Sequence, residues 1–320
     1  MTTPHRISLF QRSQHFAWIA ALSRRILLLF RRFRSNKFAP LLAISCVIGV
    51  IAWASPGMAL QYRITPSNPR LGDTLSISLR LDPSTPPSSP DIQVGQKTYP
   101  AFPVGENQFR AFVPTSPLDR PGKLQLQITG GGETRSLAVT LKNRKFPTQS
   151  IWLPPGKGND GTDYEFDRVD AFKKLVTPEK LWQGALLRPN QGEVTAGYGI
   201  RRYYNGVFAK DYYHRGIDYG GATGSPVVAP AAGRVALVGR EAKGFKIHGN
   251  TVGIDHGQGV ETIFLHLSRI DVKEGDMVRA GQVVGAVGAT GAVTGPHLHW
   301  GFYVHGVSVD PQPWRSSAIE

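Results

Sequence analysis

The chain has 320 residues, of which 36 are glycine and 24 are proline, and its formal net charge is +14. The length exceeds one average domain, and the glycine and proline content favours short strands joined by turns over a helical bundle. The charge by itself would suit a nucleic-acid partner, but eight of the basic residues lie within residues 1–37, which hold no acid. Most of the excess charge therefore belongs to a targeting segment, and we expect no nucleic-acid partner.

An apolar stretch follows the basic run, at residues 38–54, and small residues precede a cleavage position after Ala59. A basic region, an apolar core and small residues before the cleavage position are typical of a secretory signal. Residues 1–59 are therefore predicted to be a signal peptide, or an N-terminal membrane anchor if cleavage fails. The single cysteine, Cys46, lies inside the apolar stretch, so a cleaved protein would have to bind metal through histidine and carboxylate.

Residues 60–145 alternate apolar and polar side chains with a period of two. The alternation is clearest at residues 75–81, 124–128 and 137–141, and the last two segments are joined through glycines 130–132 as a hairpin. Such alternation is typical of half-buried antiparallel strands. It predicts a small immunoglobulin-like β-sandwich, in which we identify no catalytic cluster.

Residues 146–185 are predicted to be a linker that contains one helix. Thr162 and Glu165 have the spacing of a capping box, and Pro178 would stop the helix. Apolar residues recur between them at helical spacing: Phe166, Val169, Phe172 and Val176. We expect this helix to pack against the following domain.

Residues 186–320 are rich in glycine and in short apolar runs, which predicts an all-β barrel or sandwich. Seven of the nine histidines lie in this region. His297 and His299 are separated by one residue, so an extended segment would turn both imidazoles to one side. His214 and Asp218 add an imidazole and a carboxylate. Two histidines and one carboxylate are the protein ligands of one class of catalytic zinc site, although spacing alone leaves incidental occurrence equally open.

Residues 189–314 contain a series of short motifs: His214-Arg-Gly-Ile-Asp218-Tyr, Gly224-Ser-Pro-Val-Val-Ala-Pro230, Gly249-Asn-Thr-Val-Gly-Ile-Asp-His-Gly257, His266-Leu-Ser268, Gly275-Asp-Met-Val, Gly281-Gln, Thr290-Gly and Thr294-Gly-Pro-His-Leu-His299. In these motifs the region resembles the lysostaphin/LytM family of zinc endopeptidases, peptidase family M23. The region upstream resembles the accessory part of envelope-bound members, through Phe146-Pro-Thr-Gln, Leu181-Trp182 and Arg201-Arg-Tyr-Tyr-Asn-Gly206.

The resemblance implies a metalloendopeptidase that cuts peptide cross-links of bacterial peptidoglycan, in the periplasm or cell envelope. It implies that His214, Asp218 and His299 bind Zn²⁺ and that His266 and His297 are catalytic residues that do not bind it. Neutral imidazoles beside a metal can accept a proton near neutral pH. The implied partners are peptidoglycan peptide stems, with the membrane involved only through an uncleaved N-terminal segment.

Seven further residues carry separate expectations. The family commonly has tyrosine at the position of Phe264. This chain is therefore expected to lack a hydroxyl near the site. One of Tyr204, Tyr212 and Tyr213 is expected to contribute to the cleft. His256 and His305 are expected to be structural or exposed, and His248 is expected to be solvated.

Three alternatives remain open at this point. The domain could be a non-catalytic regulator of cell-wall amidases, or a wall-binding module that does not cut. Residues 272–285 also resemble a biotinyl or lipoyl domain, but the Met-Lys-Met turn of such domains is absent. Glycyl bridges and D-alanyl–diaminopimelate links are both family substrates, and the accessory region favours the second.

Overall fold

The structure is a computed structural model that describes residues 60–85, 89–152 and 161–317. The predicted signal peptide or anchor at residues 1–59 lies outside the described residues. Within the described ranges, no helix is long and apolar enough to cross a membrane. The described chain is mainly β, as the sequence predicts.

The first part of the described chain is a sandwich of two four-stranded antiparallel sheets, in the orders β1-β2-β6-β5 and β4-β3-β7-β8. Leu75 and Ile77 from the first sheet pack with Leu126 and Ile128 from the second, and all four are fully buried. The period-two pattern predicted these inward-facing residues. The strands of the first sheet are β1 (Leu60–Thr65), β2 (Thr74–Leu81), β5 (Phe102–Gly105) and β6 (Gln108–Pro114). Those of the second are β3 (Asp91–Val94), β4 (Lys97–Pro100), β7 (Gly122–Gly130) and β8 (Glu133–Leu141).

The segment that follows the sandwich contributes one strand and one helix to the rest of the molecule. Strand β9 (Thr148–Ile151) pairs in parallel with β11 (Arg201–Tyr204), which pairs in turn with β12 (Val207–Phe208). Helix α1 (Asp163–Lys173) packs Val169 and Phe172 onto the next domain, as predicted.

The C-terminal part is built on a long antiparallel sheet in the order β10-β13-β21-β17-β16-β15-β19, with β22 added beside β21. Its strands are β10 (Val194–Ala196), β13 (Gly216–Gly220), β15 (Gly233–Gly239), β16 (Thr251–Gly257), β17 (Val260–Leu265), β19 (Met277–Val278), β21 (His297–Val304) and β22 (Val307–Ser308). A smaller sheet has the order β14-β20-β18. It consists of β14 (Pro226–Val228), β18 (Arg269–Ile270) and β20 (Val283–Ala286). A short helix, α2 (Gln312–Ser316), follows β22.

The two β parts share an aromatic contact. Phe112 of the sandwich lies with its ring centroid 5.1 Å from that of Trp314 and 6.0 Å from that of Trp182. Arg110 donates a buried hydrogen bond of 2.7 Å to the side chain of Gln258. All of these apolar side chains are buried, so the sandwich is joined to the C-terminal part by a packed interface.

Candidate metal centre

The site forms where two neighbouring strands place their polar side chains side by side. In the register of β13 and β21, Asp218 lies directly opposite His299, and Gly220 lies opposite His297. Leu298, between the two histidines, is fully buried in the core. His297 and His299 therefore share the opposite face, as the alternation of an extended strand predicts.

Three side chains converge at this point. The Oδ1 atom of Asp218 lies 3.0 Å from Nε2 of His214 and 2.8 Å from Nδ1 of His299. The two ring nitrogens are 3.1 Å apart, and one ligand atom from each residue lies within 4.8 Å of the others. Ligand atoms held at about 2.0–2.2 Å in a tetrahedral site would lie about 3.3 Å apart. The donor set therefore fits a single Zn²⁺-sized ion.

A backbone contact sets the orientation of His214. Its Nδ1 lies 2.7 Å from the carbonyl oxygen of Gly197, so Nδ1–H donates and the lone pair of Nε2 faces Asp218. Fixing the tautomer through the second ring nitrogen is the usual way in which proteins orient a metal-binding imidazole. The ring is almost fully enclosed, with 1% of the side chain exposed.

Gly216 leaves the space that His299 occupies. A Cβ at Gly216 would lie 2.8 Å from Nε2 of His299 and 2.3 Å from the carbonyl oxygen of Trp300. Only a residue without a side chain permits this strand pairing and this ring position together. Gly216, which lies between His214 and Asp218 in the chain, is therefore a steric requirement of the site.

The carboxylate of Asp218 is stabilised in its charged form. Burial would raise its pKa, but the close imidazoles of His214 and His299 outweigh burial and lower this pKa below the usual range of aspartate. Arg202 of β11 adds a positive charge, since its guanidinium lies 3.7 Å from Oδ2. Arg202 had no predicted role, because its approach to Asp218 depends on how β11 packs in the tertiary structure.

His266 and His297 lie beside the three converging residues. The ring centroids of His266 and His297 are 5.0 Å apart, and that of His266 is 6.4 Å from that of His299. The Nδ1 atoms contact backbone carbonyls, of Thr290 at 2.9 Å and of Gly295 at 2.9 Å, respectively. Each Nδ1–H therefore donates, and each Nε2 keeps a lone pair that can accept a proton. Burial, reinforced by the neighbouring imidazoles, lowers the pKa of His266 to about 3.

The three candidate cleft tyrosines differ in their surroundings. Tyr213 is buried and donates its hydroxyl to the carbonyl of Ser308, 2.9 Å away, which occupies it within the core. The rings of Tyr204 and Tyr212 lie 6.1 Å apart, and both contact the Arg202 side chain that approaches Asp218. Tyr204 and Tyr212 therefore remain the candidates for the predicted cleft tyrosine.

Two expectations for single residues are wrong. His248 is not solvated, because its Nδ1 lies 2.6 Å from the carboxylate of Glu165. Phe264 does not face the site: it pairs with Trp300 on the core side of the sheet and is fully buried. A hydroxyl on that side would point away from His299.

The other two histidines have structural surroundings, as expected. His256 is fully buried in β16, between the carbonyl of Ala232 at 2.8 Å and the hydroxyl of Thr262 at 2.9 Å. Burial lowers its pKa to about 4. His305 lies in the β21–β22 hairpin, with its ring centroid 5.4 Å from that of Tyr99. Both are held apart from the three converging residues.

Comparison with known proteins gives one consistent assignment. A family model described as peptidase family M23 matches residues 212–311. The DD-carboxypeptidase/endopeptidase Mpg of Neisseria meningitidis is 46% identical over 98 residues, which are 31% of this chain and 22% of that protein. The peptidoglycan DD-endopeptidase ShyB of Vibrio cholerae is 35% identical over 182 residues, 57% of this chain and 38% of that protein. The chain thus spans well under half the length of these curated relatives.

A solved structure extends the similarity beyond the matched domain. A Pseudomonas aeruginosa protein described as an M23 peptidase has a TM-score of 0.58 at 26% sequence identity, and the alignment covers 77% of this chain and 94% of that one. Because the aligned part exceeds residues 212–311, the similarity includes regions outside the matched domain.

Proposed function

Because residues 212–311 form a peptidase family M23 domain, we propose that this protein is a zinc-dependent endopeptidase that hydrolyses peptide cross-links of bacterial peptidoglycan. The observation that carries the proposal is the convergence of His214, Asp218 and His299 within 4.8 Å, with two further imidazoles beside them. The relatives named above are described as acting on peptides or peptidoglycan.

In this proposal His214, Asp218 and His299 hold the metal. The donor set of two nitrogens and one oxygen matches Zn²⁺, which polarises a carbonyl and acidifies a water when bound in such a site. Burial contributes as well: His299 is largely enclosed, with 12% of its side chain exposed. A low local dielectric strengthens the interaction of these ligands with a divalent cation.

The chain's own bases are His266 and His297. Each holds Nδ1–H on a backbone carbonyl and presents Nε2 as a proton acceptor. The Nε2 of His297 lies 4.0 Å from Oδ1 of Asp218, so it is close to the three residues that would hold the metal. A positioned imidazole of this kind takes a proton from water and returns it to the leaving amine.

The direct D-alanyl–diaminopimelate link is the proposed substrate. Its support is the relative described as a peptidoglycan DD-endopeptidase, whose match of 182 residues extends beyond the 100-residue peptidase domain. We also propose an exported location in the periplasm or cell envelope, supported by the basic and apolar segments within residues 1–59.

A non-catalytic role as amidase regulator is the second candidate. It would require that the metal ligands be lost or blocked. All three donor residues are present, and their ligand atoms converge, so catalysis is the better-supported role.

One experiment tests the proposal as a whole. The purified protein should contain one zinc per chain and should cleave purified peptidoglycan cross-linked through D-alanyl–diaminopimelate, and chelation should abolish turnover. Products are identified by chromatography and mass spectrometry, with glycyl-bridged peptidoglycan as the parallel substrate. Cleavage of the glycyl-bridged polymer alone would overturn the substrate assignment. Absence of turnover on both polymers would overturn the proposed function, and absence of bound zinc as well would support the regulator.

A further inference from the structure

Helix α1 carries a buried acidic side chain whose hydrogen-bond partners lie outside the helix. Glu165 is fully buried, although it lies in the first turn of a helix whose outer side is exposed. The spacing from Thr162 predicts a capping box, in which this carboxylate would turn back to the helix N-terminus. Thr162 does cap the helix, accepting from the backbone N–H of Glu165 at 3.1 Å. The Glu165 carboxylate instead points at the loop of residues 246–248.

Four donors meet this carboxylate. The backbone N–H groups of Lys246, Ile247 and His248 donate to it at 3.0, 3.0 and 2.6 Å. The imidazole Nδ1 of His248 adds a fourth contact at 2.6 Å. Burial opposes ionisation of Glu165, but these hydrogen bonds prevail and lower its pKa to about 2. A buried carboxylate with four donors is a strong anchor, because hydrogen bonds to charged groups are stronger than those between neutral groups.

The anchored loop leads directly to a proposed catalytic histidine. The backbone N–H of His266 donates to the carbonyl of His248 at 3.0 Å. Ala292 in the opposite loop donates to the carbonyl of Ile247, also at 3.0 Å. That second loop contains Thr290, whose carbonyl accepts from Nδ1 of His266. Two carbonyl groups thus orient His266. That of His248 belongs to the loop that Glu165 holds, and that of Thr290 belongs to a loop hydrogen-bonded to it.

His266 also has a demanding backbone conformation. Its φ angle is +65°, in the left-handed region that side chains other than glycine rarely adopt. Such a conformation persists when surrounding contacts determine it. The hydrogen bonds from the 246–248 loop are among those contacts.

We propose that Glu165 is a positioning residue for catalysis: from helix α1 it holds the 246–248 loop, and through His248 and Thr290 it sets the backbone and ring orientation of His266. The inference rests on the proposed endopeptidase function. It gives the linker helix, which lies outside the matched domain, a direct effect on the reaction. A displacement of about 1 Å at a reacting group can reduce turnover by about 10²-fold.

Glu165→Gln tests this with little change in shape. An amide offers one acceptor oxygen, and its NH₂ group would face N–H donors, so the loop loses part of its anchor. The matched control is Asp167→Asn on the same helix, which makes the same change in charge at an exposed position. We expect Glu165→Gln to lower kcat on a soluble cross-linked muropeptide by about 10- to 100-fold, with the zinc content retained and KM changed less than threefold. Asp167→Asn should match the wild type.

Amide hydrogen exchange on the full chain gives a readout that does not depend on turnover. Glu165→Gln should speed exchange at Ile247, His248 and His266, and Asp167→Asn should not. A merely structural role would lower the melting temperature but leave kcat per folded, zinc-bound molecule unchanged. In Glu165→Gln, a wild-type kcat per zinc-bound molecule would overturn the proposal, and so would wild-type exchange at His266.

A second variant guards against failure of Glu165→Gln to fold. His248→Ala removes one of the four donors and keeps the backbone bonds, so we expect a smaller loss of kcat, with faster exchange at His266. An unchanged kcat and unchanged exchange would then overturn the proposal. Inactivity of the wild type on every muropeptide would refute the proposed function instead, and the exchange data would still decide the coupling of Glu165 to His266.

Discussion

At the residue scale, two neighbouring histidines on one strand face have different expected roles. Nδ1 of His299 lies 2.8 Å from the Asp218 carboxylate, whereas Nε2 of His297 lies 4.0 Å from it. We expect His299→Ala to lose both zinc and activity. His297→Ala should keep zinc and lose about 10²- to 10⁴-fold in turnover, the usual contribution of a positioned acid–base group. Metal analysis and muropeptide kinetics measure both quantities. Loss of zinc from His297→Ala to the same extent as from His299→Ala would contradict the assignment.

A glycine on the neighbouring strand provides a steric test of the same site. In Gly216→Ala, the new methyl group would lie 2.8 Å from Nε2 of His299, so the ring or the strand must move. We expect weaker zinc affinity and lower stability. Gly197→Ala is the control, because a Cβ there meets no heavy atom within 4 Å, although the Gly197 carbonyl also contacts the site. Titration with zinc and thermal unfolding compare the two variants, and equal zinc affinity would refute the steric argument.

At the scale of elements, helix α1 is attached to the C-terminal part through its N-terminal end. Thr162 accepts from the backbone N–H of Glu165 and donates to the carbonyl of Gly244 at 2.8 Å. The same hydroxyl thus caps the helix and ties it to the loop before residue 246. Removing it should loosen the end of the helix that presents Glu165.

Thr162→Ala is expected to lower the free energy of unfolding by about 0.5–2 kcal/mol, the usual effect of losing such a cap. Denaturant unfolding measures the change. Thr98→Ala, at an exposed position in β4, is the control and should change it by less than about 0.5 kcal/mol. Equal free energies of unfolding for Thr162→Ala and Thr98→Ala would show that the cap contributes nothing to stability.

At the scale of the whole molecule, the sandwich is held to the C-terminal part by a buried aromatic group. Phe112 is 2% exposed and belongs to the same apolar cluster as Trp182, Trp300 and Trp314. Strand β9 adds a second connection, since it extends the hairpin that carries Arg202. The sandwich with the segment after it and the C-terminal part therefore share core and sheet, and we expect them to unfold together.

Phe112→Ala should destabilise the protein by about 3–5 kcal/mol, as large-to-small changes of buried aromatics do. Calorimetry should show one transition for the wild type and a lower, or split, transition for the variant. Leu118→Ala, which removes an apolar side chain that is 41% exposed, serves as control. Two separate transitions in the wild type would show that the sandwich and the C-terminal part unfold independently.

The sequence by itself determined the residue types of the site and the class of fold. Alternation with a period of two is a property of a single strand, so it revealed the inward residues of the sandwich. It also showed that His297 and His299 share one face. The pattern from Phe166 onward likewise located helix α1, although the helix ends at Lys173 and Val176 is exposed beyond it.

The tertiary structure decided which distant residues meet. The register of β13 against β21 places Asp218 opposite His299, 81 positions away in the chain. No local pattern encodes that register, because it results from packing of the core residues on the other face of the sheet. The same holds for Arg202 and Glu165. Neither partner was predicted, and each residue acquires its partner only when distant parts of the chain pack together.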